Sequence, residues 1–290
     1  EPGHSEGYSA LGDVRLRQNQ LDEAIEAFSS AIRNTPQRVP LYRKLAQSYA
    51  NQSRYVEAAD ALNKALERDP DAVATHYSLG MIYERQTEYE DALSAFRRAT
   101  MLDSTYADAH CQLGRILLLQ GLPEQADASF RTALRQRPGH AKAATGRATV
   151  LIQQGKYAEG EALLRGVLEA DPFEAEARHR LGNLYLRQGR SEEGREILDA
   201  FERLRVVSHE VNRFRRILNT HPRDADAHYN LGVLYAGQGL FREAAASYRR
   251  ALAVNPGDTS ARKNLANLLR KHPEQFENRK TATGPEKERP

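Results

Sequence analysis

The sequence predicts an all-α fold, an α-solenoid of helix-turn-helix repeats. Three observations predict it. Proline returns at Pro36, Pro70, Pro138 and Pro172, with Ser104 in the missing place, so every interval is 34 residues. Between these marks apolar residues recur three and four apart, which is the spacing of one helix face. Segments starting at Ser5, Val39, Val73, Ala107, Ala141, Ala175 and Ala225 align as seven copies, with a partial eighth from Thr259.

Each copy reads as two short helices. The first carries its stripe at places such as Leu79, Ile82 and Tyr83. A polar turn follows, often Gln-Gly, as at Gln120-Gly121, Gln154-Gly155, Gln188-Gly189 and Gln238-Gly239. The second helix repeats the spacing, as in Ala92, Leu93, Phe96 and Ala99. It stops at pairs such as Asp69-Pro70 and Asn255-Pro256, because proline lacks an amide hydrogen and disfavours helix in the residue before it. Small residues stand where helices must approach closely: Gly12, Ala46, Gly80 and Gly114 in the first helix, Ala24, Ala58, Ala92 and Ala126 in the second. Four places after the latter comes a bulky Phe28, Leu62, Phe96 or Phe130 to fill the space between hairpins.

The segments HYSLGMIYERQTEYEDALSAFRRAT and HYNLGVLYAGQGLFREAAASYRRALAVNP carry nearly every signature place of one known repeat. The chain resembles the tetratricopeptide-repeat family from residue 5 to about 272. The resemblance implies a right-handed superhelix whose concave face, lined by the first helices, binds a peptide, a tail or a folded protein.

The register breaks once. Pro172 to Pro222 spans 50 residues, one period and 16 more. Ile197, Leu204, Val211 and Leu218 lie seven apart, with Ala200, Val207 and Phe214 between them, and no glycine or proline falls between Arg195 and His221. One long helix from about Glu192 to Asn219 is expected, with a kink near Val207 as the alternative. The expected organisation is an extension at 1–4, six repeats at 5–206, an extra helical segment at 207–222 continuous with the preceding helix, a seventh repeat and capping helix at 225–272, and a disordered tail at 273–290. The offset helix offers a homo-oligomer or partner surface, or else is an insertion absorbed by packing on the seventh repeat.

Composition narrows the function. There is one cysteine, Cys111, so neither an internal disulfide nor a thiolate metal site is expected. No run reaches the roughly 18 apolar residues of a membrane helix. A net charge of +3, from 42 basic and 39 acidic residues, gives no case for nucleic acid. The first residue is Glu1, compatible with a processed exported chain or a trimmed one, and the compartment stays open. Gly3-His4-Ser5-Glu6-Gly7 matches G-x-S-x-G in letters but lacks the preceding strand a nucleophile elbow needs. His76, His110 and His228 share one place in their repeats and read as packing residues, too far apart to share a metal. No catalytic residue, metal or cofactor is expected.

Binding is expected on the first-helix face, at Arg43, Lys44, Tyr77, Arg115, Arg147, His179, Arg180, Asn183, Arg187, Tyr229, Asn230 and Asn264. The same face also carries Asp13, Glu84, Asp108, Glu176 and Asp226. It reads either as a mixed wet groove or, since guanidinium forks suit carboxylates, as a seat for an extended acidic or C-terminal peptide. Reversing Arg43 with Arg115 is the expected way to abolish binding. No three consecutive repeats supply the Lys and Asn set of the tail-binding chaperone partners. Only Asn230 and Asn264 fit the asparagine ladder of the O-linked N-acetylglucosamine transferases. The function expected is a non-enzymatic scaffold for protein or peptide binding. The alternative is a recruitment arm of a larger enzyme or secretion complex.

Overall fold

The computed structural model describes residues 2–276, and among them every regular element is a helix. Hairpins follow one another: α1 (Pro2–Arg17) with α2 (Leu21–Asn34), α3 (Val39–Asn51) with α4 (Tyr55–Leu66), α5 (Val73–Arg85) with α6 (Tyr89–Leu102), α7 (Ala107–Leu119) with α8 (Pro123–Gln136), and α9 (Ala141–Gln153) with α10 (Tyr157–Ala170). Then come α11 (Ala175–Arg187), the 30-residue α12 (Ser191–Thr220), α13 (Ala225–Gly237), α14 (Phe241–Val254) and α15 (Thr259–Lys271). The chain divides into two compact units between Val167 and Leu168, inside α10.

In the first unit the bulky residue of each second helix is the centre of the core. Phe28, Leu62 and Phe96 are wholly buried and Phe130 is 1% exposed. The small residues exist for these side chains: a Cβ on Gly80 would stand 2.7 Å from the Phe96 ring, well inside ordinary carbon contact. The turn within each hairpin needs a left-handed residue. Four hairpins use glycine, whereas Asn19, Ser53 and Thr87 adopt φ of 59°, 61° and 63° in the first three. Thr87 is the most strained, because its branched Cβ meets the backbone there.

The turns between hairpins are closed by a feature the sequence pattern alone does not announce. The residue six places after the proline bonds back to the carbonyl at that proline position. Tyr42 Oη does so to Pro36 (2.9 Å), His76 Nε2 to Pro70 (2.8 Å) and His110 Nε2 to Ser104 (3.0 Å). In the second unit Arg178 reaches Pro172 (2.6 Å), His228 reaches Pro222 (3.1 Å) and Arg262 reaches Pro256. A carbonyl acceptor fixes Nε2–H as the donor on each imidazole. The three histidines therefore close turns as well as pack.

In the second unit α12 is continuous through the break in period. Over 30 residues it is about 45 Å long. Val211 is fully buried, and Val207, Phe214 and Leu218 pack with it against Leu231, Tyr235, Ala244 and Tyr248. The latter half of the heptad seam is thus spent on the seventh repeat. Arg215 fixes this helix: it donates to Asp171 at 2.8 and 3.0 Å and to Tyr235 Oη at 3.3 Å. The expected tail opens with structure, since Pro273–Gln275 form a 3-10 turn and Phe276 joins the same apolar cluster. The rest of the expected tail, 277–290, lies outside the described residues.

Candidate functional site

A groove of the first unit lies on α3 and α5 and has a volume of about 680 Å³. Its register follows from helical periodicity. Arg43, Gln47 and Asn51 are four apart on α3, and Tyr77, Ser78, Met81 and Arg85 share one side of α5. Ala46, Ala50, Met81 and Ile82, with Tyr55 from α4, give an apolar floor. The rim holds Arg43, Lys44 and Arg85, and no acidic residue lines it. Lys44 is already neutralised, since its Nζ sits 2.6 Å from Asp13 Oδ2 of α1. Arg43 and Arg85 are exposed.

Tyr77 connects this groove to the next repeat. Its ring lies 5.1 Å from that of Tyr106, just before α7. Burial pushes both phenols above their ordinary range, so they remain neutral donors. Asp108 nearby is held low, chiefly by hydrogen bonds from Arg137 at 2.9 and 3.0 Å. It also bonds His140 Nε2 at 3.1 Å, and burial keeps that imidazole below its usual range.

Of the residues expected from sequence, Arg43, Lys44 and Tyr77 line this groove. Arg115 is committed to Glu84 of α5, so reversing it would break an internal ion pair. Arg147 is bound to Asp127 of α8 at 3.0 Å. His179, Arg180, Asn183, Arg187, Tyr229, Asn230 and Asn264 belong to the second unit. There Arg180 pairs with Glu176 of its own helix at 3.0 Å, and His179 contacts Asn183 and the ring of Phe201. Asn264 donates to Tyr229 Oη at 3.3 Å. Gln47, Asn51, Ser78, Met81 and Arg85 complete the groove without having been singled out from sequence. The signal that finds Gln47, Asn51, Met81 and Arg85 is the four-residue step from Arg43 and Tyr77, and Ser78 stands one 34-residue period after Lys44. Ser5 is fully buried and bonds Ala31 O and Thr35 Oγ1 at 3.0 and 2.6 Å, a packing role.

A family model described as "Cilia and flagella-associated protein 70 C-terminal domain" matches residues 3–215, well over half of the chain, and one described as "Tetratricopeptide repeat" matches residues 225–258. The chain belongs to the tetratricopeptide-repeat family. Curated protein sequences give no match. Among solved structures, the Pseudomonas aeruginosa protein PilF is 19% identical with a TM-score of 0.62, over 74% of this chain and 97% of that one. A tetratricopeptide-repeat protein from Parabacteroides merdae is 16% identical with a TM-score of 0.59, over 92% and 99%. YrrB, described as a TPR protein with an unusual peptide-binding site, is 24% identical with a TM-score of 0.52, over 62% and 93%.

At these identities the tetratricopeptide-repeat neighbours speak for the fold alone. Among the described residues no group of three or more His, Cys, Asp or Glu could hold a metal ion, and no helix is long and apolar enough to cross a membrane.

Proposed function

We propose that this tetratricopeptide-repeat chain is a non-enzymatic scaffold that holds a protein segment or peptide along the first-helix, concave face of its first unit. One observation carries the reading: a groove of about 680 Å³ with an apolar floor, amide and hydroxyl side chains on its walls, and cations but no acid in its lining. Such a surface rewards an extended chain that buries apolar side chains, bonds its main chain to Gln47, Asn51 and Ser78, and presents negative charge. The description of YrrB supports it by analogy of fold. An acidic partner follows from the charge of the lining.

A photoreactive residue at Gln47 tests the site. Peptides selected from a random display library should crosslink there and lose binding when Ser78→Arg blocks the groove. Selected ligands that crosslink instead to a probe at Asn63, exposed on α4, would place the binding surface elsewhere.

A second reading rests on the matched model's description as a C-terminal domain. The repeats then serve as the recruitment arm of a longer protein, and a gene encoding a further domain in frame would establish it. A contact between copies through α12 would use its exposed, charged side, since Val207, Val211, Phe214 and Leu218 are occupied.

A further inference from the structure

We propose that the α3–α5 groove selects extended peptides carrying two carboxylates four or five residues apart around an apolar centre. The proposal rests on the groove reading above and adds a spacing to it.

The first argument is charge. Three cations line the groove, and Asp13 neutralises Lys44 at 2.6 Å. That leaves two guanidinium groups with no acid beside them in the lining, Arg43 and Arg85, each exposed. Neither makes an ion pair or side-chain hydrogen bond among the described residues. A carboxylate meeting either fork gains charge-assisted bonds without first displacing an internal acid.

The second argument is geometry. Repeat hairpins place α3 and α5 side by side and pointing the same way. Arg85 stands 34 residues after Asn51, so it shares Asn51's level, eight residues further along the helix than Arg43. Eight residues rise about 12 Å, and packed helices lie about 8–10 Å apart. The diagonal between the backbone positions of Arg43 and Arg85 is therefore about 15 Å. An extended chain advances about 3.3 Å per residue, so four to five residues span it. Ala46, Ala50, Met81 and Tyr55 lie within the groove for the apolar residues between the acids.

The test uses the full chain and fluorescein-labelled peptides of equal length, composition and net charge, with a Glu pair at i,i+2, i,i+4, i,i+5 or i,i+9. Fluorescence anisotropy at low salt should show the i,i+4 or i,i+5 peptide binding about tenfold tighter than the i,i+2 and i,i+9 peptides. Arg43→Glu should remove that advantage, and a peptide with Lys in place of the matching Glu should restore it in the variant. Unchanged circular dichroism shows that the variants fold. Equal affinity at all spacings, with a uniform loss in the Arg43→Glu/Arg85→Glu double variant, would overturn the spacing and leave the groove standing. Binding indifferent to both arginines would overturn spacing and groove together. Binding by none of the peptides would overturn the spacing, and the Gln47 crosslinking result would then decide the groove on its own.

Discussion

Gly146→Ala is a sensitive probe of how the hairpins interlock. Gly146 lies in the interior of α9, where alanine ordinarily stabilises a helix by up to about 1 kcal/mol. Here a Cβ would stand 2.5, 2.6 and 3.0 Å from Cζ, Cε1 and Cε2 of Phe130. The ring is 1% exposed, and on another side it already presses on Gly114, whose own Cβ would meet it at 2.9 Å. Relief to ordinary contact, about 3.5–4.0 Å, requires a shift of about 1 Å into occupied space. Overpacking of this kind costs about 1–3 kcal/mol, so the net effect is a loss of up to about 2 kcal/mol. Gly166→Ala is the control, since nothing lies within 4 Å of its Cβ position, and it should gain up to about 1 kcal/mol. Urea unfolding followed by far-UV circular dichroism gives both values. Pairing Gly146→Ala with Phe130→Leu should recover part of the loss, because the two sites couple. A Gly146→Ala midpoint raised as far as that of Gly166→Ala would refute the interlock.

Thr87→Gly should stabilise by about 1 kcal/mol, because it removes a branched side chain from a φ of 63°. Gly121→Thr should lose a similar amount at the equivalent turn, where φ is 74°, and equal melting temperatures for the two variants would contradict this. Asp171→Ala should destabilise the second unit by about 1–3 kcal/mol, toward the lower end because the pair is about one third exposed. The signature is faster amide exchange in the C-terminal half of α12, and unchanged exchange would rule against Arg215 as its anchor. Burial also works against ionisation of Asp171, but the bonds from Arg215 and the Phe173 amide hold its carboxyl below the usual range. The stability this contributes is present at neutral pH and should fade as pH drops below about 4. Burial holds His110 and His140 below the ordinary imidazole range. The unfolded chain then takes up protons first, so stability should fall from about pH 7 to 5. His140→Gln should flatten that slope, and an unaltered slope would sink the assignment.

The fold was legible because each element carries its own local signal. Proline and asparagine or aspartate end the second helices, and Phe28, Phe96 and Phe130 mark their buried centres. The long α12 was legible from the missing glycine and proline between Arg195 and His221. The site was less so. Arg43, Lys44 and Tyr77, expected from their place in the repeat, line the α3–α5 groove, but Lys44, Arg115 and Arg147 are paired with Asp13, Glu84 and Asp127. Which acid comes within reach depends on side-chain direction between neighbouring helices, and sequence spacing within one helix does not encode that. The histidines illustrate the same limit. Their common place suggested packing, while the bond to the carbonyl six residues upstream depends on the path of the intervening turn.

That bond sets an unusual rule of exchange. Tyrosine, histidine and arginine differ in charge, volume and shape, yet each serves at the sixth place after the proline position, because each carries a polar hydrogen at a similar reach. Ala144 has nothing to offer there, and in that loop His140 instead accepts from the Ala143 amide and ties to Asp108. Swapping histidine for arginine at such a position should therefore be milder than swapping it for phenylalanine, although the ring is the closer likeness.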